Sequence, residues 1–485
     1  MKPTSHLFNQ NVDEALGNAN LRVAMERTRM RMPALRKRAL QKFPDFRSYS
    51  DASVETKNHT LAYLDFYLEE FERNVVAWGG NVHWCEDYET ARRVITDVCR
   101  SVDARLVTKG KSMVSEELDL NRALEDAGLT PVETDIGDHI LQLAGERPSH
   151  LVGPAGHKPI EQIAELFFKH HKKYGKTERL PDEPGPLAGQ ARDVLRSAFF
   201  EADVGITGAN FLIAETGTAV IVTNEGNGEL TQSLPKVHVV VATIDKILPT
   251  LDDCCTVLRL LGRSATGQEL TNYTTFATGP RREGDADGPE QFHVVLLDAG
   301  RSDLIGTDKQ PLLRCIRCAA CLNHCPVYYA VGGHAYGWVY PGPIGAALNP
   351  ALLQLKNAVD LPRATSICGA CDEVCPQQIP LTQIMHNWRN EAFETGLVAA
   401  RERLGLRLWG FVAQRPRLYR LLTNIATRVL GWLGRSRGRF SRLPFASGWT
   451  GSRDLPAPQG GTFQAQWHAR QERGPGADAD DDGSR

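Results

Sequence analysis

The stretch Cys315-Ile316-Arg317-Cys318-Ala319-Ala320-Cys321-Leu322-Asn323-His324-Cys325-Pro326 reads C-x2-C-x2-C-x3-C-P, and further along Cys368, Cys371 and Cys375, followed by Pro376, repeat the close of that run. An x2 spacing lets a turning backbone aim successive thiolates at different irons of one cubane, while the fourth cysteine of such a run crosses to a second cluster. Each proline ends its loop, because it fixes its own φ, donates no backbone hydrogen bond and biases the preceding residue toward extended backbone. Two iron-sulfur clusters held by exchanged ligands is therefore the leading reading. Paired C-x2-C elements also build structural zinc sites, but zinc needs no x2-x2-x3-Pro cadence. A disulfide framework fits less well, since the chain is long, shows no export signal and concentrates its cysteines in one segment.

The second run is one ligand short. Counting back from Cys375 gives Cys371 and Cys368, and the next x2 step lands on Thr365. Under the crossing rule, Cys315, Cys318, Cys321 and Cys375 complete one four-cysteine site, and Cys325, Cys368 and Cys371 supply three thiolates to the other. Three thiolates hold either a three-iron cluster or a four-iron cubane whose last iron takes an oxygen ligand, a partner residue or a substrate. The otherwise intact spacing favours two [4Fe-4S] clusters, the second with a non-cysteine ligand. The remaining cysteines, Cys85, Cys99, Cys254 and Cys255, sit among apolar neighbours and read as buried small side chains.

The 485 residues, 42% apolar and 24% charged, suffice for two or three domains of ordinary soluble composition. A net charge of -2 gives no global attraction to nucleic acid. Met1 to Asn20 lacks the apolar core of a signal peptide and no stretch approaches a membrane span, so a cytoplasmic location is expected. Oxygen-sensitive clusters with reduced ligands suit that compartment.

Composition divides the chain into five parts. Residues 1–58 form an Arg-rich helical arm. Residues 59–301 alternate apolar runs with amphipathic segments: Arg105 to Thr108, Leu151 to Gly153, Ala219 to Val222, Val237 to Ala242 and Phe292 to Leu297 suit buried strands, and Glu116 to Ala127, capped by Ser115, suits a helix between them. An α/β domain with a largely parallel sheet is expected. Residues 302–400 read as short helices and loops around the clusters, with the glycine- and aromatic-rich segment Gly332 to Pro341 either covering a cluster or forming a tight packing corner. In 401–473, eleven arginines between Arg401 and Arg442 face one acid, Glu402, and Leu418, Leu422, Ile425, Val429 and Leu433 recur at helical spacing. Such a basic amphipathic helix packs on the protein's own body or a partner, or lies on anionic lipid as a peripheral membrane contact through 401–442. Nucleic acid is not expected, because no base-reading fold accompanies it. Residues 474–485 are an acidic Gly/Asp tail expected to be disordered.

Two segments of the α/β region have ligand-binding chemistry. Gly110, Lys111 and Ser112 follow a strand, but Arg105 occupies the position where a phosphate-binding P-loop needs its first glycine; Lys109, Lys111 and Ser112 remain candidates for a small anion such as a carboxylate, against the plainer reading of a solvated strand end. Gly205 to Asn210 and Glu215 to Thr218 make Gly/Thr-rich bends that bring backbone N–H groups near a ligand. Glu215 is a weak candidate base. His139, His157, His238 and His293 stand isolated in sequence and compose no metal or triad set.

Thr108-Lys109-Gly110-Lys111-Ser112, Ile206-Thr207-Gly208-Ala209-Asn210 and Glu215-Thr216-Gly217-Thr218 resemble the lactate-utilisation (LUD) domain. Cys315 to Pro326, Gly332-Gly333-His334-Ala335-Tyr336, Tyr340-Pro341-Gly342-Pro343-Ile344-Gly345 and Cys368 to Pro376 resemble the lactate utilization protein B family. The resemblance runs over nearly the whole chain. It implies a sugar-isomerase/CoA-transferase-like LUD sheet fused to an α-helical ferredoxin domain, in a bacterial three-protein system that oxidises L-lactate to pyruvate. The other two proteins would be a cysteine-rich subunit and a smaller LUD-domain subunit. It also implies that Thr365 is no departure, the shortened second run being shared. Three functions stay open: an iron-sulfur electron-transfer subunit of the L-lactate dehydrogenase complex, a hydroxy-acid-binding enzyme using the under-ligated iron, and a redox-sensing interaction protein.

Overall fold

The structure is a computed structural model and describes residues 3–443, 447–450 and 453–473, so the acidic segment 474–485 lies outside the described residues. The chain divides into two units, Met1–Leu397 and Val398–Arg485.

In the first unit the strands are β1 Asn81–Cys85, β2 Leu106–Lys109, β3 Thr130–Glu133, β4 Val204–Gly208, β5 Phe211–Ile213, β6 Thr218–Thr223, β7 Val237–Thr243, β8 Ile247–Leu248, β9 Tyr273–Ala277 and β10 Gln291–Leu297. Six pair in parallel in the order β1-β10-β7-β4-β2-β3. The run Val237 to Thr243 is buried throughout and, His238 and Thr243 aside, apolar, because both faces of the sheet are covered. Val239 and Val241 face a core shared with Ile95, Leu118 and Leu124; Val240 and Ala242 face the opposite core with Phe71, Val75 and Phe292. This is the period-two alternation of a strand buried on both sides, and each fully buried Val is worth about 1.5–3 kcal/mol. A second sheet, ordered β8-β5-β6-β9, packs on the helix Leu251–Ala265. That core continues into Ile316, Cys318, Ala320 and Val374, so the α/β region and the cysteine segment share apolar contacts.

Three local expectations are corrected. Leu151 to Gly153 is not a strand: Val152 N and Gly153 N both donate to His150 Nδ1 at 3.0 Å, which satisfies this backbone inside a bend. The segment Glu116 to Ala127 is two helices, Met113–Glu117 and Leu120–Asp126, separated by Asp119 at φ 49°. Its cap is Ser112, whose Oγ accepts from Ser115 N at 3.2 Å, and the break turns Glu117 inward to Arg301 while Leu118 and Leu120 stay buried. Cys255 is exposed, unlike Cys85, Cys99 and Cys254.

The N-terminal helices cover the cysteine segment. Ser50 Oγ donates to Pro376 O at 2.7 Å, Gln377 Nε2 to Ser53 Oγ at 2.6 Å, and Arg36 to Val374 O at 3.0 Å. In the second unit, the helices Ala400–Ala413 and Pro416–Gly434 leave Leu422, Ile425, Val429, Trp432 and Leu433 exposed. Among the described residues no helix is long and apolar enough to cross a membrane.

Candidate iron-sulfur centre and adjoining cavity

The cysteine loops require unusual backbone. Arg317, Ala319, Ile367 and Gln378 all adopt positive φ, between 48° and 60°. For a β-branched residue such as Ile367 this is a true outlier, and strain of about 1–3 kcal/mol per residue persists only where surroundings over-determine it. Here it re-aims successive sulfurs. Cys315, Cys318, Cys321 and Cys375 line one internal cavity, although Cys375 belongs to the second run. Cys325, Cys368 and Cys371 form the other grouping, each within electrostatic reach of another. No cysteine is in a disulfide among the described residues.

Burial pushes the Cys318 thiol up to about 12, with the neighbouring sulfurs of Cys375 and Cys315 adding to it, and pushes Cys375 up to about 11. Burial, then Asp372 and Cys325, take Cys371 to about 12. Sulfurs so crowded and desolvated ionise only against a cation, which suits metal binding. Backbone donors are already aimed at them: Tyr328 N reaches Cys325 Sγ at 3.4 Å and Ile379 N reaches Cys375 Sγ at 3.5 Å. Cys368 differs. It is exposed, and hydrogen bonds from Ala370 N and then Ser366 lower its pKa. Thr365, at the position of the missing cysteine, spends its hydroxyl on Ile367 N at 2.9 Å. Between the groupings stands Tyr336, fully buried, whose hydroxyl has no hydrogen-bond partner among the described residues and lies near Cys325, Cys321 and Cys371.

The glycine- and aromatic-rich segment is packed from both sides. A Cβ on Gly333 would stand 1.8 Å from Ser149 O, and Gly337, at φ 70°, presses on the backbone of Thr4. Tyr340 closes this segment by donating to Glu117. Arg301 Nη2 contacts both Glu117 oxygens at 2.7 and 2.8 Å, and its Nε reaches Asp245 Oδ1 at 3.3 Å. Burial alone would raise Asp245, but Lys246, Arg317, Arg301 and Lys57 hold it well below the usual carboxylate range.

Above this network lies a cavity of about 290 Å³. It opens at the carboxyl ends of β2 and β4, where the chain order reverses: β2 is followed outward by β3, and β4 is followed by β7 on its other side. Ligands of open α/β sheets bind at such switch points. Lys111 and Ser112 from the first candidate segment and Thr207 to Asn210 from the second meet in its wall. Gly208 allows this, since a Cβ there would lie 2.8 Å from Ser112 Oγ. Lys246 and Arg317 complete the wall, and Arg317 hydrogen-bonds Cys315, so the cavity adjoins the first cysteine grouping.

Other candidates fall elsewhere. Lys109 is buried and paired with Glu133 at 2.7 Å and Glu116 at 3.3 Å, so its charge is spent inside the domain. Glu215 accepts from Leu251 N at 3.1 Å at a helix start, outside the cavity wall. The histidines are not isolated: His139 pairs with His171 at 3.1 Å, His293 with His83 at 3.0 Å and His238 with Thr207 at 2.8 Å. His157 joins Glu146 and His334, three groups whose ligand atoms lie within 4.8 Å of one another. There, however, Lys158 already pairs with Glu146 at 2.7 Å and His334 Nε2 with Arg147 O at 2.8 Å. Lys246 and Arg317 were missed from sequence. Arg317 sits within the first cysteine run, and Lys246 is a charge at the carboxyl end of an apolar strand, the signal that was available.

Residues 68–297 match the family model described as LUD domain, 311–379 that of a 4Fe-4S dicluster domain, and 395–472 that of lactate utilisation protein B, C-terminal. The dicluster match supports two iron-sulfur clusters in place of zinc. The chain is 42% identical over 469 residues to lactate utilization protein B of Shouchella clausii, covering 96% of this chain and 98% of that protein. It is 41% identical over 476 residues to that of Bacillus velezensis, covering 98% of each. A solved structure of a DUF162 family protein from Deinococcus radiodurans aligns over 48% of this chain and 98% of its own, at 14% identity and a TM-score of 0.27, a likeness too slight to bear on the fold.

Proposed function

The chain belongs to the lactate utilization protein B family, and from that premise we propose that it is the iron-sulfur electron-transfer subunit of a complex oxidising L-lactate to pyruvate. Its partners in this reading are a cysteine-rich subunit and a smaller LUD-domain protein. Cys315, Cys318, Cys321 and Cys375 would hold one [4Fe-4S] cluster, and Cys325, Cys368 and Cys371 the other, whose fourth ligand is not a cysteine. When bound, the clusters supply one-electron redox chemistry, and the chain supplies their spacing, field and exclusion of water.

The observation that carries this reading is the contrast between the two groupings. The first is walled by apolar side chains and adjoins the switch-point cavity, whereas the second reaches the surface at Cys368, beside the exposed Ile367. That polarity suits a path from an interior site to an outer partner. Arg317 and the backbone N–H groups stabilise negative charge on the sulfurs, and the buried Glu117–Arg301–Asp245 network fixes Arg317 in place. Anaerobic co-purification with the two partner proteins, followed by lactate addition, tests the proposal. Lactate-dependent bleaching of the cluster absorbance in the complex, absent from the isolated subunit, is expected. Bleaching of the isolated subunit by lactate would instead make this chain the enzyme, and association that follows oxygen exposure without bleaching would make it a sensor.

A further inference from the structure

Lys246 follows the central strand β7 and is 6% exposed, yet its ammonium makes no hydrogen bond or close ion pair with any described residue. Its nearest counter-charge, Asp245, is shared with Arg317, Arg301 and Lys57, and a buried charge without a direct partner is costly, so a fold that keeps one in a cavity wall is prepared for a further counter-charge. The charged groups of that wall are Lys111, Lys246 and Arg317 against Asp135 and Glu225. One positive charge is left over, which matches a monoanion and disfavours a phosphate dianion. Lys111 is held by Val152 O, Arg317 lies over the Tyr340 ring at 4.6 Å, and Asp135 caps a helix through Gly137 N and Asp138 N. Lys246 has no direct partner, and Arg317 Nη1 is likewise left without a hydrogen bond among the described residues. Ser112, Asn210 and Asn224 offer further polar atoms, while Ala209, Leu151 and Ile221 add apolar lining.

We infer that this cavity binds a small monocarboxylate carrying an oxygen on the adjacent carbon, with Lys246 as the carboxylate's counter-ion, and that the bound charge is felt at the first cysteine site through Arg317. Choosing a 2-hydroxy or 2-oxo acid within that class rests on the proposed function; the monoanion site does not. Arg317 touches both the cavity and Cys315. A negative charge placed beside it therefore opposes reduction of a cluster held there, and by linkage reduction must weaken anion binding by the same factor.

The test is calorimetric titration of anaerobically prepared, cluster-loaded full-length protein with pyruvate, L-lactate, acetate and inorganic phosphate, in oxidised and photochemically reduced forms. Saturable binding of pyruvate or lactate at one site is expected, weaker by at least tenfold in Lys246→Met and Lys246→Gln with iron content unchanged. Neither variant should melt lower than the parent, because each removes an unpaired buried charge. Reduction should weaken pyruvate about tenfold, matched by a midpoint for the first cluster about 59 mV lower when pyruvate is saturating. Absence of saturable binding, equal affinity in both Lys246 variants, or preference for phosphate would overturn the inference. Calorimetry needs no electron flow, so pyruvate binding without lactate-dependent bleaching in the complex leaves this site standing and removes the proposed function, and the converse removes the site alone.

Discussion

Replacing Tyr336 by Phe removes one oxygen from between the two cysteine groupings and little else. The ring is fully buried and packs on Phe8 at 5.6 Å between centroids, while its backbone carbonyl accepts from Ser5 Oγ at 2.9 Å, contacts that Phe retains. Burial first, then the sulfurs of Cys325, Cys321 and Cys371 and the Tyr328 phenol, keep the Tyr336 phenol protonated, so it is a donor. It has no acceptor among the described residues, and an unsatisfied buried hydroxyl costs about 1–3 kcal/mol. A sulfur of a cluster held by the neighbouring cysteines would supply the acceptor. Such a bond favours the reduced, more negative state, and if about 1.4 kcal/mol of it is differential between redox states the midpoint moves by about 59 mV. Tyr336→Phe should therefore lower the midpoint of one cluster by roughly 40–60 mV at full iron occupancy, and should leave the cluster-free protein equally stable or slightly more so. EPR-monitored anaerobic redox titration reads the first quantity and denaturant unfolding of the stripped protein the second. An unchanged midpoint with intact iron would show that the hydroxyl does not face a cluster and would refute the reasoning.

Further outcomes follow from the same geometry. Cys375→Ser should remove the same EPR signal as Cys315→Ser, and Cys325→Ser the same as Cys371→Ser, each lowering iron from about eight to about four per chain if the ligands cross as proposed. Glu117→Ala takes the bidentate partner from buried Arg301, leaving it Asp245 as acidic partner, and should cost about 3 kcal/mol in denaturant unfolding, the low end for removing one partner of a buried pair. Stripping iron and sulfide should release the strained loops and open 311–379 to limited proteolysis, with the circular dichroism of the sheet retained. Burial holds His238 down to about 3 and, with His171 beside it, His139 down to about 4. Unfolded chains take up these protons near pH 6.5 and the folded chain does not, so stability is full above that pH and falls below it, by up to about 1.4 kcal/mol per pH unit for each histidine. Unfolding free energies between pH 7 and 5 should show this slope, and it should be shallower in His238→Asn.

The cysteine spacing, the prolines that close each run and the largely apolar Val237 to Ala242 act over a few residues, so sequence alone determined that a two-cluster module follows a parallel α/β domain. Sequence-local logic failed where one residue's conformation answers to a distant partner: the helix expected from Glu116 breaks so that Glu117 meets Arg301, and Leu151 to Gly153 bends around His150. The cavity belongs wholly to the tertiary structure. Lys111, Asn210, Lys246 and Arg317 are far apart along the chain and meet only because β2, β4 and β7 lie side by side in parallel, carboxyl ends together. Lys109 and Lys111 look alike in sequence, yet Lys109 ends β2 between Glu133 and Glu116, which take up its charge, while Lys111 lies past the strand end in the cavity wall. Spacing along the chain singles out seven cysteines, but only packing gathers Cys375 with Cys315, Cys318 and Cys321 and decides which charges are left without a partner.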